Sequence, residues 1–425
     1  MVGTGVFTSL GFQLVEIQST FPLLLLWVAG GATAFCGALA YAEIGAALPR
    51  SGGEYSMLSR VYHPAAGFVS GFISATVGFA APTALAAITF GTYLASVFPG
   101  LSPTWLGAGL VVIATAIHAT NHRNSSFLQS GFTTVKVIFI AGFCVAAALF
   151  ADPGQPVSLL PQPGDASAVF GSAFAVSLIY VSYAYTGWNT ATYITQEVEH
   201  PRRTVPRVLA TGTALVAVLY VGLNWAFLRA APMSALEGRI EVGHVAATHV
   251  FGPTGGAVMG VALALLMVST VSALVVAGPR VLQVMGEDYP LIGRLGRKKA
   301  NGIPAVAIFA QGVLTLAFVL TAAFETILVF TGLTLGLNSL CAVVGVFVLR
   351  VREPDLPRPY RTWGYPVTPL VFILMTTWTL VYIGLDRPAE AVTATGLILA
   401  GLLLYGLARG GPSRFGIRRS RVSAR

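Results

Sequence analysis

Runs of apolar residues recur along the whole chain, separated by short clusters of glycine, proline and charge. Inside each run the apolar character is continuous rather than alternating, which reads as helix and not as the strands of a membrane barrel. The runs predict approximate helices over 1–16, 21–48, 65–98, 105–121, 126–150, 168–198, 205–231, 250–282, 303–322, 325–350, 365–385 and 390–408. Crossing the hydrocarbon takes about 20 apolar residues in a helix, so most of these segments are long enough to span. The first is short, starting at Met1 and losing its pattern near Glu16. We expect the sequence to begin late, at an internal methionine, with the leading half of this helix upstream.

Charge settles how these helices are threaded. With the N-terminus placed in the cytoplasm, the inner loops hold Arg50, Arg60, Arg123, Arg202, Arg203, Arg207, Arg280, Arg294, Arg297, Lys298, Lys299, Arg350, Arg352, Arg358 and Arg361. A tail over 409–425 adds six more arginines, and the outer loops hold only Arg229, Arg239 and Arg387. This asymmetry is a positive-inside pattern with both termini in the cytoplasm, and places the chain in the cytoplasmic membrane. The net charge of +9 is therefore accounted for by loops facing anionic lipid headgroups, not by a nucleic-acid partner. Composition agrees: 55% of residues are hydrophobic and 10% charged, against roughly 25% charged in soluble domains. Cys36, Cys144 and Cys341 each lie inside an apolar run, without metal-like spacing, and read as small hydrophobes. No secretory leader is evident.

Two segments break the helical pattern. Gly3-Thr4-Gly5-Val6-Phe7 places two glycines around a threonine. Such a stretch weakens helix and lets a ligand approach the backbone, and a half-helix N-terminus attracts a carboxylate. Close helix packing is the alternative use of these glycines. Tyr180 to Thr190 is a polar, aromatic patch inside an otherwise apolar run, where freed carbonyls would accept from an ammonium group; hydrogen-bonded helix packing is again the alternative. The pair means more than either member. The breaks fall in helices 1 and 6, so helices 1–5 (residues 1–151) and 6–10 (residues 166–351) form candidate inverted repeats, followed by helices 11 and 12 (362–408) and the tail. Paired interrupted helices in corresponding positions mark the binding site of a transporter. An amino-acid zwitterion suits two such breaks, with its carboxylate at one and its ammonium at the other.

Other polar residues are candidates of a different kind. Lys136 lies about ten residues into helix 5, roughly 15 Å from its start. A lysine at that depth is costly; it replaces a bound sodium ion or titrates, or else snorkels to the inner surface. The loop Pro49-Arg50-Ser51-Gly52-Gly53-Glu54-Tyr55 reads from spacing alone as a solvated turn. Glu43 and Arg280 sit near inner helix ends, where they either pair in an inner gate or are interfacial. His118 and His122 are four apart at a helix end without a third ligand, so no metal site is predicted. No phosphate loop, nucleophile elbow or paired catalytic carboxylates occur. We therefore expect no enzyme and no cofactor. Loops of at most about 20 residues also argue against a receptor, which carries a larger extramembrane domain.

These stretches resemble the amino acid–polyamine–organocation superfamily of permeases, and within it the L-type amino-acid transporter branch. The matching pieces are Gly3 to Phe7, Tyr41-Ala42-Glu43-Ile44-Gly45, Pro49 to Tyr55, Pro82-Thr83-Ala84 to Tyr93, Tyr183 to Asn189 with Pro201-Arg202-Arg203, Gly278-Pro279-Arg280, Arg358-Pro359-Tyr360-Arg361 and Gly364-Tyr365-Pro366. They cover nearly the whole chain in order. The resemblance implies an all-α, LeuT-like five-plus-five inverted repeat with two added helices, twelve in all with the first truncated. It implies carboxylate contacts at Thr4, Gly5 and Val6 and ammonium contacts near Tyr183, Ala184 and Thr186. It favours an ion-coupling role for Lys136, with protons the candidate coupling ion, and a gate role for Glu54. The family's half-helix before the first break is absent, which puts part of the inner gate and the lysine's partner in question. Animal members carry a cysteine after helix 3 that links to a heavy chain; Pro99 to Thr104 has none, so no disulfide-linked partner is expected. The sequence thus predicts a permease for neutral amino acids, since no acid is evident in the membrane to meet a cationic side chain. Cationic amino acids or polyamines are the alternative.

Overall fold

The computed structural model describes residues 1–48, 50, 52–120, 125–151, 154–299 and 302–408. The predicted tail over 409–425, along with Pro49, Ser51, His122 and Arg123, lies outside the described residues. Helices α1 (Gly5–Glu16), α2 (Thr20–Ala47), α3 (Glu54–Val61), α4 (Pro64–Ile73), α5 (Ala80–Val97), α6 (Pro103–Thr120) and α7 (Ser125–Phe150) form the first half. After α8 (Asp165–Val169) and α9 (Ser172–Ala184) come α10 (Pro201–Ala230), α11 (Met233–Leu236), α12 (Val242–Ala277), α13 (Pro279–Asp288), α14 (Ala305–Thr321) and α15 (Phe324–Arg352). The pair α16 (Val367–Asp386) and α17 (Pro388–Ala408) completes the chain. Nine described helical stretches are long and apolar enough to cross a membrane, with α9 and α14 as shorter apolar helices.

Proline sets many of the starts. Pro64, Pro103, Pro201, Pro279 and Pro388 each stand first in a helix, where the missing N–H has no intrahelical partner to lose and the fixed φ suits the first turn. Four of these helices therefore begin one to four residues before the apolar runs predict, and Pro279 opens a helix inside a predicted run. The predicted helix over 250–282 is longer than expected, running from Val242 with a kink at Gly252 (φ 73°) ahead of Pro253, and stopping at Ala277 before Pro279. The predicted helix over 65–98 contains a π turn from Ser74 to Phe79 between α4 and α5. The helix expected over 168–198 stops at Ala184 and resumes as a 3-10 segment, Trp188–Glu197.

The packing is that of a multi-pass membrane protein. Large apolar side chains on α6 (Ile113, Ile117), α7 (Ile138, Val145, Leu149), α16 (Leu374, Leu385) and α17 (Val392, Leu403) point outward and are exposed, which is tolerable only against lipid. Polar groups turn inward. The central helices α1, α2, α9 and α10 close on Trp27, Tyr185 and Tyr220. There the Trp27 indole N–H donates to Gln13 Oε1 at 3.2 Å and the Tyr185 hydroxyl to the Trp27 carbonyl at 3.0 Å. The link before α12 lies on α1 through a backbone bond from Gly238 N–H to Gly11 O of 2.8 Å.

Candidate functional site

The two segments predicted as breaks lie against each other, Gly5 on Ala184. Helix α1 starts only at Gly5, and the first turn of any helix has N–H groups without intrahelical partners. A Cβ on Gly5 would lie 2.4 Å from Ala184 Cα, so only glycine permits this approach of α1 to the end of α9. Beside the crossing, Thr4 Oγ1 and the Tyr183 hydroxyl are 3.2 Å apart and share a hydrogen bond. Helix α9 ends because Gly187 adopts φ +96°, a left-handed conformation that costs glycine nothing. The Thr186 hydroxyl and N–H both donate to Tyr183 O, at 2.6 and 2.9 Å, and fold the chain over the helix end.

A cavity of about 280 Å³ opens at this crossing, lined by Gly3, Thr4, Gly5, Tyr183, Ala184 and Thr186 among others. Small-molecule sites run from roughly 300 to 1,000 Å³, so its size fits a small metabolite. Lys136 reaches its wall. The side chain is buried, and the ammonium donates to Val2 O at 3.2 Å and Thr270 Oγ1 at 2.7 Å. It therefore ties α7 to the α1 break and to α12, and the snorkelling alternative does not occur. Phe79 and Pro82 from the third span and Leu335 from α15 supply apolar wall.

Glu54 is the residue whose surroundings differ most from the sequence expectation. The turn before it is not solvated at this position: Glu54 is 1% exposed and lines the cavity. Its Oε1 accepts from the Tyr41 hydroxyl at 3.0 Å and from Asn189 Nδ2, and its Oε2 from the Tyr193 hydroxyl. The two preceding glycines make this possible. Gly52 and Gly53 have φ of +111° and +54°, and a Cβ on Gly53 would strike the Tyr193 ring at 2.6 Å. The adjacent Tyr55 hydroxyl donates to Asp288, which also pairs with Arg50 at 3.0 Å. Burial and Asp288 push the Tyr55 phenol well above its ordinary range, so it remains a donor.

Three predicted site residues lie elsewhere. Val6 is fully buried in the apolar core and is not in the cavity wall, because its side chain leaves α1 on the packed face. Glu43 is not a partner of Arg280. Its carboxylate accepts from Arg350 at 2.7 and 2.8 Å, from Thr362 N–H and hydroxyl at 2.7 Å each, and faces Arg358 at 3.4 Å. It sits at the end of α2 where the link from α15 to α16 folds back, out of reach of α13. Arg280 stands on α13 outside the cavity wall. Sequence reading missed Asn189 and Tyr193 as partners of Glu54, and Thr133 and Thr270 as neighbours of Lys136 in the wall. Thr133 was discoverable, being one turn from Lys136 on the same helix face; Thr270 comes from a distant helix.

Comparison with known proteins gives the family. The family described as "Amino acid permease" matches residues 1–407. The b(0,+)-type amino acid transporter 1 of Mus musculus is 24% identical over 413 residues, 95% of this chain and 84% of that protein. The large neutral amino acids transporter small subunit 2 of Homo sapiens is 26% identical over 416 residues, 95% of this chain and 77% of that protein.

Proposed function

The chain belongs to the amino acid permease family, and from that premise we propose that it carries neutral amino acids across the cytoplasmic membrane by alternating access. The observation that supports this most is the cavity at the contact of Gly5 with Ala184, where two interrupted helices offer a helix N-terminus and a helix C-terminus to one small space. The substrate carboxylate takes the N–H groups around Thr4 and Gly5. The ammonium takes carbonyls near Tyr183, Ala184 and Thr186. A zwitterion is bound this way without a fixed side-chain charge. Lys136 stands where a cation would join the first break to α12. The two halves of the chain act as a LeuT-like inverted repeat of five helices each, with α16 and α17 added outside it. Transport runs as exchange or with protons. Both termini lie in the cytoplasm, and no disulfide-linked partner is required.

One observation favours a second reading. Glu54 puts an acid in the cavity wall, and an acid there suits a cationic amino acid or polyamine. Its oxygens already accept from three donors, which supports the neutral substrate. The test is binding to purified protein followed by counterflow in liposomes. Leucine or alanine should bind and exchange; binding of arginine or a polyamine alone would overturn the neutral assignment. Binding without counterflow would mark a receptor in place of a transporter.

A further inference from the structure

The proposed transport leaves the Glu54 network without a task. Among the described residues, no basic side chain forms an ion pair with this carboxylate. Glu43, by contrast, faces two guanidinium groups, and Lys136 is held by two oxygens. Glu54 is thus a buried acid, in contact with the cavity and stabilised by hydrogen bonds alone. The cost of its charge is met by Tyr41, Asn189 and Tyr193.

The donors are unevenly shared. Oε1 has two, Tyr41 and Asn189, whereas Oε2 has only Tyr193. The Tyr193 oxygen is also 3.0 Å from Ser74 Oγ, in the π turn of the third span. With Glu54 ionised, the Tyr193 proton points at Oε2 and the Ser74 hydroxyl donates to Tyr193. If a proton enters from cavity water onto Oε2, each step can reverse. The new Glu54 O–H donates to the Tyr193 oxygen, and the Tyr193 O–H turns to Ser74. One proton is gained, one charge is lost, and the Glu54 carboxyl and the Tyr193 hydroxyl each keep an acceptor. A carboxylate held by a cation has no such exit.

We propose that Glu54 is the proton-binding site coupled to transport in this protein. The coupling follows from where the donors stand. Tyr41 belongs to α2, Asn189 and Tyr193 to the segment just beyond the α9 break, and Ser74 to the π turn. The ionised carboxylate clamps that segment onto α2 and α3 with charge-assisted bonds, which are roughly twice as strong as neutral ones. Proton uptake weakens the clamp and frees the 3-10 segment, which follows directly on the ammonium side of the substrate site at the end of α9. The titratable groups in contact with Glu54 are Tyr41 from α2 and Tyr193 from the 3-10 segment; Lys136 and the Met1 amino group line the same cavity. Tyr55, next to it on α3, is turned to Asp288 of α13.

The inference rests on the transport reading for its consequence but not for its detection. Infrared difference spectroscopy of purified full-length protein in lipid, titrated with acid and no substrate, should show a protonated-carboxyl band. Other carboxyls absorb in both proteins, so the wild-type spectrum minus that of Glu54→Gln should retain one carboxyl band; identical spectra would overturn the proposal. Counterflow by Glu54→Gln, at whatever rate it runs, should no longer vary with pH. Variation kept there and lost in Lys136→Ala would move the proton to Lys136. A wild type that moves no amino acid defeats the transport reading while the infrared titration still decides the proton site. Should Glu54→Gln fail to fold, Tyr193→Phe removes the oxygen to which the Glu54 O–H donates and should shift the frequency of that carboxyl band. An unmoved band would overturn the proposal.

Discussion

Gly5 shows how much can depend on one missing side chain. A Cβ there would fall 2.4 Å from the Ala184 backbone and 2.6 Å from its methyl, and neither can yield without separating α1 from α9. Gly5→Val should therefore abolish amino-acid binding by purified protein, measured by calorimetry, while neighbouring Gly3→Ala, whose Cβ meets nothing closer than 3.7 Å, should keep it. Retained binding in Gly5→Val would mean that the crossing is not the site. Gly53 makes the same point with a backbone term added. Its φ of +54° and the Tyr193 ring, 2.6 Å from where a Cβ would stand, both oppose any larger residue. Gly53→Ala should lower stability by about 1–3 kcal/mol through strain, read as a lower thermal midpoint in detergent. An unchanged midpoint would show that the turn relaxes freely.

At the level of elements, the helices that bear function are the ones that fail to stay regular. Helix α9 gives way at Gly187, the third span widens into a π turn at Ser74–Phe79, and α12 bends at Gly252. The first two irregularities border the cavity, in keeping with the frequent placement of π turns at functional sites. The break in α9 was legible, because Tyr183 to Thr190 changes from apolar to polar with a glycine in its middle. The π turn was not. Gly78 and Pro82 hint at a weakened ladder, yet glycine and proline occur throughout membrane helices as packing and kink residues. Neighbouring contacts decide which of them opens the turn: Ser74 is drawn to Tyr193, and Phe79 packs edge-on against the same ring at 5.4 Å.

Across the whole molecule, the strongest polar tie lies away from the cavity. Glu43 joins α2 to α15 and to the link before α16 through Arg350, Arg358 and Thr362, and Arg350 also stacks over the Tyr365 ring at 3.7 Å. Removing one member leaves a buried charge without enough compensation, which typically costs about 3–5 kcal/mol. Arg350→Ala should destabilise by about 3 kcal/mol, since Arg358 still faces Glu43. The double variant with Glu43→Ala should cost less than the sum of the singles. Thermal unfolding of the three proteins checks this; additive losses would mean the groups act independently.

The sequence by itself determined the class of the molecule. Hydrophobicity is a property of composition along the chain, so length and continuity of the apolar runs were enough to predict membrane helices. Glycine and polar residues inside those runs were enough to locate the break after α9, since helix weakness is local. Partnership was decided only by the tertiary structure. Whether Glu54 was solvated or buried, whether Glu43 met Arg280 or Arg350, and whether Lys136 snorkelled or turned inward each depended on residues between 134 and 307 positions away in the chain. An ionisable side chain takes its role from the donors and acceptors that reach it, and those arrive by packing of distant helices, which no local pattern records.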